Sequence, residues 1–269
     1  MDRFGLGAAG ADDFTELMKI ALVTGASAGI GQATALELAR QGVGVIVTYR
    51  SHRAEGEEIV AQIESAGGRA AALPLDLDHT AGLDAFASAV LDVLRDTWGV
   101  ARLDYLVNNA GAGGGAMFAE ITEDHFDWYH RVLFKGPYFL TQKLLPLLND
   151  GGAIVNTGSS SALPNRVSAG YSAYAAQKAA IHAVTPYCAK ELAGRRIRVN
   201  TVAPGTTRTR IGGDAFTRSP DLARTLGEGV ALGRIGEPED AGRVIAFLLS
   251  DAAAWMTGQV VEVSGGEGL

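Results

Sequence analysis

Apolar residues along this chain arrive in short unbroken runs rather than in strict alternation with polar ones. The runs are IALVT (20–24), VGVIVTY (43–49), RAAALPL (69–75), LDYLVN (103–108), GAIVNT (152–157), RIRVNTV (196–202) and QVVEV (259–263). A strand with one face in water alternates, whereas a run apolar on both sides belongs to a sheet covered on both faces. Between the runs, residues 30–41, 53–66, 80–97, 123–148, 171–193 and 238–250 read as helices. Strand and helix alternate throughout, which predicts an α/β fold: a doubly wound parallel sheet of about seven strands, with helices on both faces and right-handed crossovers. Neither a composition shift nor an internal repeat marks a second unit. Residues 19–269 therefore read as a single domain behind an N-terminal extension, 1–18. One stretch breaks the rhythm. From Gly205 to Gly236 the chain is rich in glycine and carries arginines at 208, 210, 218 and 224. A long irregular segment leaving the carboxyl end of a strand is expected to be a substrate lid. The alternative is a solvated excursion whose arginines face water.

Composition narrows the class. With 47% apolar and 20% charged residues, the 269-residue chain has ordinary globular makeup, which excludes a disordered protein. A net charge of -7 argues against a partner such as nucleic acid, whose phosphates need a basic face. The single cysteine, Cys188, has no internal partner and reads as a small buried hydrophobe in a reducing compartment. The N-terminus lacks a cationic start and an apolar stretch of signal-peptide length, and no window is apolar enough to span a membrane. A soluble, cytoplasmic protein is expected. The 35 glycines exceed the usual share and are expected in turns and close approaches.

The first run ends in Thr24-Gly25-Ala26-Ser27-Ala28-Gly29-Ile30-Gly31, followed at once by helix-forming residues. Such glycines allow a tight strand-to-helix turn, and the helix start offers unpaired N–H groups to a pyrophosphate. Gly25, Ser27, Gly29, Ile30 and Gly31 are therefore candidate cofactor contacts. The second run ends in Thr48, Tyr49, Arg50 and Ser51, with Arg53 close by. An NAD-preferring site places an acid there for the ribose 2′-hydroxyl; a guanidinium instead matches a 2′-phosphate. NADP(H) is favoured over NAD(H), the bland alternative being an exposed arginine with no ligand. Further on, Tyr174 and Lys178 lie four apart on a predicted helix and share a face. A fixed cation near a phenol is expected to lower its pKa and make it a usable proton carrier. Alone, this spacing is as often a solvated lysine beside a packed tyrosine. The TGSSS stretch at 157–161 directly before it offers a serine to a substrate carbonyl.

Taken together, these motifs resemble the short-chain dehydrogenase/reductase family over about residues 19–266, in particular its NADP(H)-dependent branch like the 3-oxoacyl-ACP reductases. The family glycine motif corresponds to Thr24–Gly31, its adenine-side Asp to Asp76 with Leu77 beside it, and its NNAG motif to Asn108-Asn109-Ala110-Gly111. The resemblance implies a Rossmann-type fold and a catalytic set of Ser159, Tyr174 and Lys178. It also implies cofactor contacts at Tyr49, Arg50, Ser51, Asp76, Leu77, Asn109, Ala110, Gly111, Tyr174, Lys178, Pro204, Gly205, Thr207 and Thr209. The implied activity is carbonyl–alcohol interconversion on a small molecule, with ketone reduction favoured. The implied assembly is a homo-oligomer, tetramer or dimer.

Two departures qualify the match. The family serine commonly stands thirteen residues before the tyrosine, which points to Ser161; anchoring on the strand end points to Ser159. Ser159 is preferred, because loops absorb two extra residues more easily than a strand end absorbs a register slip. Secondly, Leu133 occupies the place of the family Asn that holds a water linking the lysine to solvent. A leucine cannot hydrogen-bond that water. His130, one turn earlier, could approach the same site, although a satisfied or exposed histidine is the plainer reading. A nucleotide-binding sensor or scaffold is thus the rival function, and dehydration or epimerisation a third. None of the five histidines shows metal-ligand spacing, so no metal is expected.

Overall fold

The computed structural model describes residues 18–213 and 215–269, so the predicted extension lies, but for Met18, outside the described residues. Seven strands form one sheet: β1 Ile20–Val23, β2 Gly44–Tyr49, β3 Ala70–Pro74, β4 Leu103–Asn108, β5 Leu148–Thr157, β6 Arg198–Pro204 and β7 Val260–Val263. All pairings are parallel, in the order β3-β2-β1-β4-β5-β6-β7. The order reverses between β1 and β4, and in open sheets of this kind ligands bind at the carboxyl ends beside that switch.

The unbroken apolar runs have a direct cause. Successive residues of β1 point to opposite faces, and both faces are covered. Ala21 and Val23 pack with Leu38 of α1 (Gly29–Arg40), Ile59 and Ile63 of α2 (Arg53–Ser65), and Ile245 and Leu248 of α9 (Pro238–Leu249). Ile20 and Leu22 pack with Phe86 and Val90 of α3 (Leu83–Val93) and with Leu140 and Leu144 of α5 (Gly136–Leu144). Each fully buried side chain of this size contributes about 1.5–3 kcal/mol, so neither layer is dispensable.

Three predicted elements differ. The helix expected over 123–148 is interrupted: α4 covers Glu123–His130, a wider turn follows over Arg131–Lys135, and α5 starts at Gly136. Pro137 has no N–H to offer the carbonyl one turn back, at Leu133, which loosens the helix there. The predicted 80–97 helix likewise ends early, in a wider turn over Leu94–Trp98. Finally, residues 205–236 are not irregular throughout, since α7 (Ala215–Arg218) and α8 (Pro220–Gly227) lie within them. The remaining long helix, α6 (Ser172–Glu191), runs against β6 and carries the candidate catalytic pair.

Candidate functional site

At the end of β1 the chain turns through Gly25 (φ +63°) and Gly29 (φ +58°), conformations that side-chain-bearing residues rarely adopt. A Cβ on Gly25 would stand 2.7 Å from Ala110 Cα. The turn is pinned by Thr24, whose hydroxyl accepts from the N–H groups of Asn109 and Ala110 at 2.8 and 2.9 Å. The Asn109 amide in turn donates to the carbonyls of Thr24 and Gly25. The two predicted motifs thus form one hydrogen-bonded unit, and Thr24 is a member that the sequence reading did not single out. Ala28 precedes α1 without a side-chain cap, leaving the first helical N–H groups available to an anion.

Arg50 and Ser51 are exposed at the end of β2, and among the described residues Arg50 has no ion-pair partner. Arg53 is different: it pairs with Glu57 at 2.7 Å. Tyr49 is buried against Gly56, where a Cβ would come within 2.7 Å of its ring. Asp76 is exposed and accepts from the Asp78 N–H, whereas the Leu77 side chain is buried in the core, so only its backbone faces the loop. From the opposite side, Pro204 ends β6 and Gly205 follows. Thr209 packs its methyl over Gly29, and Ile211 packs on Gly113. Thr207 hydrogen-bonds the Gly205 carbonyl and pairs with Gly236. The start of the 205–236 segment therefore closes over both glycine turns.

Tyr174 and Lys178 meet as predicted, with the Lys178 ammonium 5.9 Å from the Tyr174 ring centre. Lys178 is 5% exposed and donates to the Thr157 carbonyl at 2.7 Å. Burial lowers its pKa to about 8. The expectation for Tyr174 needs correction: burial pushes its phenol up to about 12, and the Ser159 hydrogen bond opposes the rise without cancelling it. In this dry environment desolvation dominates, so Tyr174 is held as a phenol with its proton in place. Ser159 lies two residues beyond the end of β5 and stands 2.8 Å, hydroxyl to hydroxyl, from Ser161. It is thus Ser159 that couples to Tyr174, with Ser161 behind it.

His182, Tyr129, Glu267 and Arg166 carried no signal in the sequence, whereas His130 and Leu133 were singled out there. His182, one turn after Lys178, accepts from the Ser159 N–H and is kept neutral by burial and by Lys178, its pKa falling to about 4. Its ring fits because residue 158 is glycine, where a Cβ would stand 2.2 Å from Nε2. His130 bonds Gln177 at 3.1 Å. The Tyr129 hydroxyl donates to the Gly114 carbonyl, and its ring meets Tyr174 edge-on. Leu133 is 1% exposed and packs beside these two tyrosines. Glu267, near the C-terminus, accepts from both the N–H and the hydroxyl of Thr206. Arg166 pairs with Glu262 and donates to the Gly268 carbonyl.

The rim is apolar. Met117, Phe118, Val167, Tyr171 and Ile211 are all exposed, and the Tyr171 ring meets Tyr174 edge-on. The loops bearing the first four are tied together by the Ala116 N–H and the Gly170 carbonyl. Of the arginines in 205–236, Arg208 is engaged by Glu237, and Arg224 by Asp221 and Glu228. Burial pushes the Cys188 thiol up, away from the reactive thiolate. Among the described residues no cluster of three or more His, Cys, Asp or Glu could hold a metal, and no helix is long and apolar enough to cross a membrane.

A glycine-turn cradle at the switch point, with a serine, tyrosine and lysine at the ends of β5 and α6, defines a class of oxidoreductase. A family model described as enoyl-(acyl carrier protein) reductase matches residues 25–267. The 3-oxoacyl-[acyl-carrier-protein] reductase FabG of Thermotoga maritima is 36% identical over 251 residues, covering 92% of this chain and 97% of that protein. A solved structure described as the promiscuous reductase LugOII, which catalyses keto-reduction at C1 during lugdunomycin biosynthesis, superposes with a TM-score of 0.89. It shares 37% identity, with 94% of this chain and 99% of that one covered. The angucycline C-6 ketoreductase LanV with bound NADP gives a TM-score of 0.87 at 35% identity, over 94% and 96% of the two chains. The chain belongs to the short-chain dehydrogenase/reductase family and is an oxidoreductase.

Proposed function

We propose that this protein is an NADP(H)-dependent ketoreductase in which Ser159, Tyr174 and Lys178 carry the reaction. The observation that carries the reading is the buried, protonated Tyr174 flanked by the Ser159 hydroxyl and the Lys178 ammonium. The cradle fits the cofactor. Gly25 and Gly29 hold positive φ, α1 starts uncapped, and Arg50 stands exposed where a 2′-phosphate would lie. LanV, a relative of similar fold, binds NADP. In this assignment Ser27, Gly29, Ile30 and Gly31 face the pyrophosphate, Asp76 and Leu77 the adenine, and Asn109 to Gly111 with Pro204, Gly205, Thr207 and Thr209 the nicotinamide side. Bound NADPH supplies the hydride that reduces the carbonyl carbon.

The chain's own residues do the rest. Ser159 and Tyr174 hold the carbonyl oxygen by hydrogen bonds, which polarises it. Tyr174 then gives its proton to the developing alkoxide, and Lys178, held against the Thr157 carbonyl, stabilises the negative charge left on the phenol oxygen. The 205–236 segment acts as the lid of a single 19–269 unit. Its exposed Ile211 and the facing Met117, Phe118, Val167 and Tyr171 favour an apolar, ring-bearing ketone over a sugar or an anionic substrate.

The exposed aromatics Tyr138 and Tyr187 on α5 and α6, and Trp255 before β7, support a homo-oligomer. The negative charge and lone cysteine support a cytoplasmic setting. The sensor reading draws on one observation, the apolar Leu133 where the family carries a relay Asn. NADPH oxidation over 1-tetralone, 9,10-phenanthrenequinone and ketose sugars, with NADH as control and products identified, tests the assignment. Alcohol formed from the ring ketones with NADPH preferred is expected. NADPH binding with no alcohol formed overturns it in favour of the sensor.

A further inference from the structure

Once Tyr174 has given up its proton, that proton must be replaced, and Leu133 closes one route. Its side chain packs against Tyr129, Val132 and Ala173, and hydrocarbon neither holds nor passes a proton. The phenol also has hydroxyl neighbours. Ser159, the hydrogen-bond neighbour of Tyr174, has its Oγ 2.8 Å from the Oγ of Ser161 and accepts from the Ser161 N–H at 3.2 Å. Ser161 is half-buried, so part of it meets solvent. A hydroxyl donates and accepts at once, which is the property a proton route requires.

We propose that Ser161 is the outer member of a two-serine route by which Tyr174 is recharged from solvent, in place of a route past residue 133. The inference rests on the reading of Tyr174 as proton donor. As the alkoxide takes the phenol proton, the Tyr174 O–H bond breaks and the alcohol O–H bond forms. The Ser159 proton moves to the Tyr174 oxygen, the Ser161 proton to Ser159, and a proton from solvent water to Ser161, leaving hydroxide in the bulk. The shifts are concerted, so no serine alkoxide persists, and each carbonyl reduced consumes one solvent proton. A Ser161 that merely orients Ser159 would give different kinetics.

The test uses NADPH with 1-tetralone and 9,10-phenanthrenequinone, and NADPH affinity read separately by fluorescence titration. Ser161→Ala is expected to lower kcat about tenfold, while NADPH affinity stays within about twofold of wild type. Ser161→Thr, which keeps the hydroxyl, restores kcat. Imidazole buffer raises the kcat of Ser161→Ala to a plateau and leaves the wild type unchanged, because a small acid replaces the missing proton source and not a lost orientation. Wild-type kcat in Ser161→Ala, or a loss that no buffer relieves, overturns the route. Tyr174→Phe is run in parallel. If it turns over normally, or the wild type is silent, the parent reading falls and the route with it. If Tyr174→Phe is inactive and Ser161→Ala is not, the route alone falls.

Discussion

The two halves of the site are built in different ways. The centre of the cofactor half is made from neighbours in sequence. A strand, a glycine turn and a helix follow one another, and one threonine, Thr24, ties the turn to the next strand's end. The substrate half is assembled from distant pieces. Loops 112–118 and 161–170 meet through a single backbone bond, and residues near the C-terminus, Glu262, Glu267 and Gly268, hold Arg166 and Thr206 in place. A cradle of backbone groups tolerates almost no change in side chain, whereas a half built from loops and a chain end can be re-lined without disturbing the sheet. The division separates a fixed chemistry from an adjustable specificity.

Four perturbations bear on that division, in decreasing order of effect. Gly31→Ala should strike the cofactor half hardest, because its Cβ would meet Asn109 Nδ2 and the Gly25 carbonyl, each at 2.4 Å. Overpacking of this kind costs about 1–3 kcal/mol, so a lower melting temperature and a loss of NADPH affinity in calorimetry are expected together. Arg50→Ala leaves the fold intact and removes one charge-assisted contact. NADPH affinity should fall about tenfold or more, with NADH affinity unchanged and the cofactor preference narrowed accordingly. In the substrate half, Glu267→Ala frees Thr206 and the start of the 205–236 segment. KM for the ketone should rise about three- to tenfold, with NADPH affinity intact. A fall in NADPH affinity as large as the rise in KM would erase the contrast between the halves.

The smallest effect is a pH dependence that comes from Lys178. Its pKa is lowered to about 8, so the ammonium is charged below that pH and neutral above it. Reduction should be nearly level from about pH 6 to 7, reach half its rate near pH 8, and fall about tenfold per unit well beyond it. Tyr174, raised to about 12, adds no limb in this range. A profile that rises through pH 8 would show that neutral Lys178 is the active form.

The same division governs what could be read from the sequence. The seven strands, the glycine turn and the proximity of Tyr174 and Lys178 were legible, because each is a local pattern with a fixed spacing. The break between α4 and α5 was hidden by a helical period that continues across it; Pro137 was the available signal. The early start of β5, at Leu148 rather than 152, was hidden because polar and glycine residues, Asn149 to Gly151, precede the apolar run. The rise in the Tyr174 pKa was not legible either, since it depends on how dry the site becomes, and burial is a property of the whole fold. His182, Arg166 and Glu267 act across 23, 96 and 61 positions of chain, distances at which sequence spacing carries no information.

The central claim is that Tyr174 is the proton donor of a ketone reduction. Tyr174→Phe removes the hydroxyl and keeps the ring against Tyr129. Ketone turnover with NADPH and NADPH affinity, measured on the same preparation, test the claim together. The account predicts turnover lowered by at least about a hundredfold, with NADPH affinity within about twofold of wild type. Turnover at the wild-type rate in Tyr174→Phe would contradict it.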